Sequence, residues 1–247
     1  MVKKTIDINC DVGEGVGNEQ ELFPMISSCN IACGGHAGSR ESIRHCLELA
    51  KQFNVKVGAH PSYPDKENFG RISIDISQND LIKTIESQMQ QFEAVREQMD
   101  IKLHHIKPHG ALYNDIAKNE TLATTFLKGI EAYKRGTVLY VPYASVIHKL
   151  AIKNGFTVLV EAFADRNYNN DLSLVSRKEN KALITKGDEV LTHLLRMHNE
   201  MMVKTITGDK IEIEANTFCI HGDTPSALQI LMYITKHLPQ HNLQLKS

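Results

Sequence analysis

Leu103-His104-His105-Ile106-Lys107-Pro108-His109-Gly110-Ala111-Leu112-Tyr113-Asn114 is the stretch on which the reading of the fold turns. Residues 103–107 have the pattern of a short buried strand. Pro108 cannot donate to a sheet ladder, so the strand stops there. His109 stands just past the strand end, and Gly110 lets the backbone turn tightly. A Lys and a His leaving the end of an interior strand together suit a site better than a surface. Taken alone, the stretch could equally be a loop with two solvated side chains. The same pattern recurs at other strand ends of the chain, and that recurrence favours the site.

Upstream, residues 5–9 alternate as a strand and run into Asp11-Val12-Gly13-Glu14-Gly15-Val16-Gly17. These glycines are not spaced G-x-G-x-x-G, and no G-x-x-x-x-G-K-[ST] occurs, so the loop is not a phosphate loop. Its signal is Asp7, Asn9, Asp11 and Glu14 gathered at one strand end. Residues 28–32 give a second strand, followed by Cys33-Gly34-Gly35-His36. Ser39 caps the next helix, which carries Ile43, Cys46, Leu47 and Ala50 on one face. Residues 55–59 give a third strand, ending in His60-Pro61-Ser62-Tyr63-Pro64-Asp65, with Phe69-Gly70-Arg71 beyond. Ser77 caps a long amphipathic helix.

Downstream, the pattern predicts a helix over 119–133 and a strand over 138–141 that ends at Pro142 with no strong polar group. A helix over 145–154 and a strand over 157–160 follow, then Glu161-Ala162-Phe163-Ala164-Asp165-Arg166. A helix over 187–201 precedes two alternating runs, 203–207 and 210–214, around Gly208-Asp209, which read as a hairpin. The last strand, 217–220, ends in His221-Gly222-Asp223. Thr224 and Pro225 read as the cap and first residue of a final helix, and the tail from Pro239 as a frayed end. Strand and helix thus alternate without a linker-like break. This predicts one α/β domain over 1–247, a distorted TIM-like (β/α)7 barrel with one small β-hairpin insertion. An open doubly wound sheet is the alternative. Both place chemistry at the carboxyl ends of the strands.

Composition excludes several function classes. The 247 residues carry 28 basic and 29 acidic side chains, a net charge of -1, which offers no broad field for nucleic acid or an anionic membrane. No apolar run approaches the ~20 residues that span a bilayer, and the start lacks the apolar core of a signal peptide. The five cysteines form no Cys-x-x-Cys pair and read as reduced thiols of a cytoplasmic protein, with Cys33 a small core residue rather than a nucleophile. Of the 12 histidines, His36, His60, His104, His105, His109 and His221 fall on or just after strands. His45, His148, His193, His198, His237 and His241 fall on helices or the tail and read as solvated surface.

In a closed barrel the strand-end groups converge at one mouth. Three chemistries fit them. Carboxylates and imidazoles can hold a divalent metal that activates water. They can also do metal-free acid–base work beside a lysine, or they can bind a ligand without turnover. No compact ligand motif such as H-E-x-x-H occurs, so a metal is possible but not signalled. Lys107, Arg71 and Arg166 suggest an anionic substrate; for Arg166 the competing expectation is an ion pair with Asp165 or Glu161.

Six segments carry a resemblance. They are Asp7-Ile8-Asn9-Cys10-Asp11-Val12-Gly13-Glu14-Gly15; Asn30-Ile31-Ala32-Cys33-Gly34 with His36-Ala37-Gly38; Gly58 to Asp65 with Phe69-Gly70-Arg71; Lys107 to Asn114; Glu161 to Arg166; and His221 to Pro225. In these the chain resembles the lactam-utilisation (LamB/YcsF) family of 5-oxoprolinase A subunits over nearly its whole length. The resemblance implies a barrel of the glycoside hydrolase/deacetylase type. It also implies ATP-dependent ring opening of 5-oxo-L-proline to L-glutamate, a hydrolysis performed with partner subunits B and C. ATP would then be a cosubstrate handled by the partners, since this chain has no P-loop. The roles expected on that basis are Asp11 or His60 deprotonating water, Lys107 and His109 stabilising the oxygen that gains charge, and His221 with Asp223, or Glu161, protonating the leaving nitrogen. Asp7, Asn9, Glu14, His36, Arg71, Asp165 and Arg166 are expected to bind substrate. The chain departs from the family pattern at Gly35, where the family usually has Phe, and at Leu172, where it usually has Gly. The first removes an aromatic wall near His36, and the second is strained if the backbone needs φ > 0.

Overall fold

The computed structural model describes residues 4–246. The strands are β1 (Lys4–Ile6), β2 (Ile8–Val12), β3 (Ser28–Ala32), β4 (Lys56–His60), β5 (Leu103–Ile106), β6 (Val138–Pro142), β7 (Thr157–Phe163), β8 (Met202–Lys204), β9 (Lys210–Glu212), β10 (Thr217–Cys219) and β11 (Leu243–Leu245). The helices are α1 (Glu19–Leu22), α2 (Arg40–Phe53), α3 (Gln78–Arg96), α4 (Gly110–Ile116), α5 (Glu120–Gly129), α6 (Val146–Lys153), α7 (Gly187–Glu200) and α8 (Ala227–His237). Strands β2 to β7 pair in parallel in chain order, and β10 pairs with both β7 and β2. The sheet is therefore a closed seven-stranded barrel, and the open doubly wound alternative is excluded. The antiparallel β8–β9 ribbon is the expected hairpin insertion.

Period-two alternation sorts the side chains. On β2, Ile8, Cys10 and Val12 turn outward beneath the helices, while Asn9 and Asp11 turn into the barrel. The apolar core lies in the outer layer, where Ile31, Val57 and Ala59 meet Ile43, Leu47, Leu81, Ile85, Met89 and Phe92 of α2 and α3. Ser39, Ser77 and Ser145 cap α2, α3 and α6 by accepting backbone N–H groups. The barrel interior is polar instead. Asn9 donates to Thr217 Oγ1 at 2.8 Å, Asn30 to Asn9 Oδ1 at 2.8 Å, and His105 Nε2 to Asn30 Oδ1 at 2.7 Å. The His105 ring lies flat on Tyr140, centroids 4.0 Å apart. Gly58 makes room for that ring, since a Cβ there would come within 2.1 Å of His105 Nε2.

Four expectations are corrected. Residues 5–9 are not one strand: the chain breaks at Asp7, and β1 leaves the barrel to pair in parallel with β11. The tail from Pro239 is consequently no frayed end but a short 3-10 turn followed by that strand. Thr224 does not cap the last helix, because its hydroxyl is spent on Asp165, and Ser226 occupies the cap position. Of the helix and tail histidines only His45 and His241 are exposed, and His193 is buried. In addition, α4 starts directly at Gly110 (φ +57), where a Cβ would strike the Gly70 carbonyl oxygen.

Gly58→Ala is expected to cost about 3 kcal/mol by overpacking and loss of the His105–Asn30 bond. The readout is a lower urea midpoint at unchanged m-value; a wild-type midpoint would contradict this packing.

Candidate active site

The barrel's upper interior is organised by Lys107, which is buried. Its Nζ lies 3.0 Å from Asp11 Oδ1, 3.0 Å from Glu161 Oε1, 3.1 Å from Cys219 Sγ and 3.3 Å from Asn9 Oδ1. Burial opposes the ammonium charge, but Asp11 and Glu161 more than offset it and hold the pKa well above the usual lysine value. Burial likewise opposes the Asp11 carboxylate, and His60 with Lys107 overcomes this and holds it well below the usual range. The Lys107 ammonium donates to Asp11 Oδ1, Cys219 Sγ and Asn9 Oδ1, and meets Glu161 by charge, without a hydrogen bond. Asp7 is not part of this site. It lies before β2, at the opposite end of the barrel, where it bonds Ser28, Thr217 and Lys56.

On one side of Lys107 stand three imidazoles. His60 Nδ1 donates to the Lys107 carbonyl at 2.7 Å, and His109 Nε2 donates to the Phe69 carbonyl at 2.9 Å. Each ring has thus spent its proton outward, and His60 Nε2 and His109 Nδ1 face each other at 2.9 Å. His36 Nε2 meets Glu14 Oε1 at 2.8 Å, and the same oxygen lies 3.4 Å from His109 Nδ1. The His36 ring stacks on His109 at 3.6 Å. Burial, aided by His60, holds His36 neutral, its pKa lowered to about 2. Burial also keeps His109 neutral and pushes the Glu14 carboxyl up. Glu14, His36, His60 and His109 are the residues whose donor set could hold a metal ion; Asp11, Cys219 and His221 form a second such group.

On the other side, His221 Nδ1 lies 3.0 Å from Asp165 Oδ1, and its backbone N–H donates to Asp165 Oδ2 at 3.0 Å. Burial would raise the Asp165 pKa, but His221 and the hydroxyl of Thr224 hold it down at about 2. The ionised carboxylate fixes the Nδ1–H tautomer and leaves Nε2 free to take a proton. The expected His221–Asp223 pair is therefore replaced by His221–Asp165. Asp223 instead pairs with Arg71 and, at 3.6 Å, with Arg177. Arg166 makes neither expected ion pair. It donates to the carbonyls of Val175 and Ala182, bracing the loop between them.

These groups surround a cavity of about 330 Å³. Asp11, His60, Lys107, His109 and His221 line it, and Arg71, Arg166, Arg177 and Lys178 bring positive charge to it. Arg177 and Lys178 were missed by the sequence reading because they belong to a long loop with no strand-end signal. Cys33 is no nucleophile: buried, it accepts the His60 N–H at 3.2 Å, and burial pushes its pKa up to about 12. All five cysteines are buried and free.

A family model described as the LamB/YcsF family matches residues 6–247. The chain belongs to this family. The A subunit of a 5-oxoprolinase from Bacillus cereus (strain B4264) is 39% identical over 232 residues, 92% of each chain. Its counterpart from Bacillus anthracis (strain CDC 684 / NRRL 3495) is 38% identical over 244 residues, 96% of each chain. The crystal structure of a lactam utilization protein from Thermus thermophilus superposes with TM-score 0.90 at 33% identity, covering 98% of this chain and 99% of that one. A family 4 carbohydrate esterase from Streptomyces lividans shares the fold at TM-score 0.50 and 12% identity, over 100% of this chain and 94% of that one. No helix among the described residues is long and apolar enough to cross a membrane. Within this LamB/YcsF chain the two departures have visible consequences. At Gly35 a Cβ would meet Gln88 and Ser62 within 2.4 Å, so their mutual hydrogen bonds fill the space, and Phe69 supplies an aromatic edge to His36. Leu172 does sit at positive φ, +63.

Lys107→Met leaves Asp11 and Glu161 uncompensated and is expected to cost about 3–5 kcal/mol at pH 7. Urea midpoints should show the deficit shrinking as pH falls and a carboxylate protonates. Asp165, depressed to about 2, contributes stability that is complete above the unfolded value near 4 and is lost as pH falls toward 2. The wild type should lose roughly 2–3 kcal/mol from this group between pH 6 and pH 2, and Asp165→Asn should flatten that part of the profile.

Proposed function

We propose that the chain is the hydrolytic A subunit of a 5-oxoprolinase, opening 5-oxo-L-proline to L-glutamate in an ATP-dependent reaction with subunits B and C. The observation that carries this reading is the His221–Asp165 pair beside the cavity. It supplies a base with a free Nε2 where a water and a small anionic lactam can meet, and the names of the relatives support that substrate. The rim arginines suit a carboxylate or phosphoryl group.

The lactam is an amide with little strain and a poor leaving group, so ATP is consumed to activate it. Once a partner subunit has phosphorylated the lactam oxygen, water adds to the ring carbon and gives its proton to His221 Nε2. The C–N bond then breaks, His221 returns the proton to the nitrogen, and a second water hydrolyses the resulting acyl phosphate. Asp11, ionised by Lys107 and His60, positions the water through Oδ2. His109 cannot stabilise the oxygen, because its N–H is spent on Phe69.

Reconstitution with subunits B and C, following glutamate release with ATP, tests the reading. The isolated chain should turn over neither 5-oxoproline nor ATP. His221→Asn and Asp165→Asn should each lower kcat by about 10²–10⁴ with little change in KM. Undiminished turnover in the double variant would leave the chain a lactam-binding subunit without catalysis.

A further inference from the structure

We propose that His60 Nε2, His109 Nδ1 and Glu14 Oε1 form a binding site for one divalent cation of the zinc class at the wall of the cavity, with His36 as the positioning residue behind it. Both rings donate outward to backbone carbonyls, His60 to Lys107 and His109 to Phe69, so unless a ring takes up an extra proton neither has one to give the other. The two inward nitrogens nonetheless face each other at 2.9 Å, and Glu14 Oε1 lies 3.4 Å from His109 Nδ1. A tetrahedral ion with bonds of ~2.0–2.1 Å separates its ligand atoms by roughly 3.4 Å. The cluster therefore already has close to the spacing an ion needs.

Outward N–H groups bonded to carbonyls are also the arrangement that orients metal-ligating imidazoles. His36 is excluded as a direct ligand by geometry. Its ring is stacked on His109 with only 3° between the planes, so one ion cannot lie in both ring planes. Its Nε2 instead holds Glu14 Oε1 at 2.8 Å. Two imidazoles and one carboxylate leave coordination positions open. Asp11 Oδ2 stands 3.4 Å from His60 Nε2, and Asp11, His60 and His109 all line the cavity, so the open positions turn toward substrate and water. When bound, the cation supplies Lewis acidity to an oxygen there.

The inference stands apart from the lactam reading. Its test uses the purified full chain, stripped with a chelator and dialysed. Zn²⁺ titrated by calorimetry should bind at one equivalent per chain and raise the Tm, and Co²⁺ should give visible d–d bands. His60→Gln and His109→Gln should lose the bands and the Tm rise while circular dichroism still shows a folded barrel. His36→Asn should keep one equivalent but bind Zn²⁺ about 10–100-fold more weakly. His45→Asn, on an exposed helix face, should match the wild type. A stripped wild type that takes up no Zn²⁺ overturns the proposal without reference to any variant, and the facing nitrogens then share an extra proton. Unchanged cobalt bands in His109→Gln overturn it as well. Stoichiometric Zn²⁺ in a chain whose reconstituted complex is inert would sink only the lactam reading. An active, metal-free complex indifferent to chelator would sink only this one.

Discussion

The structure depends on a lysine ammonium held out of water. Lys107 sits where the strands of the barrel converge, and its charge is tolerable there only because Asp11 and Glu161 reach it from β2 and β7. Isolated burial of any one of the three would cost several kcal/mol. The consequence is mutual: the strands must close so that the carboxyl groups meet the ammonium, and the ammonium helps keep Asp11 ionised in the interior. An interior of this kind is a poor source of stability compared with packed aliphatic layers. The outer layer of leucine, isoleucine and phenylalanine beneath the helices supplies that instead.

Around Lys107 the mouth divides into two chemically distinct halves. One holds three imidazoles with Glu14, His36 stacked flat on His109 and His60 edge-on to both, and the other holds a polarised His221 with ionised Asp165. The difference follows from partners. His60 and His109 spend their N–H groups on carbonyl oxygens, which are neutral, whereas His221 spends its own on a carboxylate. A single cavity can therefore offer electron-pair donors on one wall and a proton acceptor on the other. Arg71 and Arg177 at its rim are positioned by Asp223, which explains why that acid belongs to the mouth without touching the base.

Much of this was legible in the chain, because the barrel puts chemistry at strand ends and strand ends are visible as short apolar runs closed by Gly or Pro. Lys107-Pro108-His109 and Glu161 to Asp165 announced themselves in this way. What was not legible was anything decided by a distant partner. Asp7 looked like part of the mouth because residues 5–9 alternate without interruption. Only the pairing of β1 with β11 shows that the strand restarts at Ile8 and sends Asp7 to the other end. Asp223 looked like the partner of His221 because it is near in sequence, but Asp165 reaches the ring from another strand. Thr224 looked like a helix cap, and it was drawn away by that same carboxylate. Tautomers carry no sequence signal at all.

The clasp between β1 and β11, together with the seam between β10 and β2, sets the order of events during synthesis. Both join the first strands to strands far along the chain, so the clasp cannot form until residues 243–245, nor the seam until residues 217–219, have left the ribosome. Until then β2 is a lone edge, and Asp11 waits without its neighbour across the seam. Closure of the barrel therefore waits on β10, and the nascent chain must keep its half-built sheet shielded until that strand arrives.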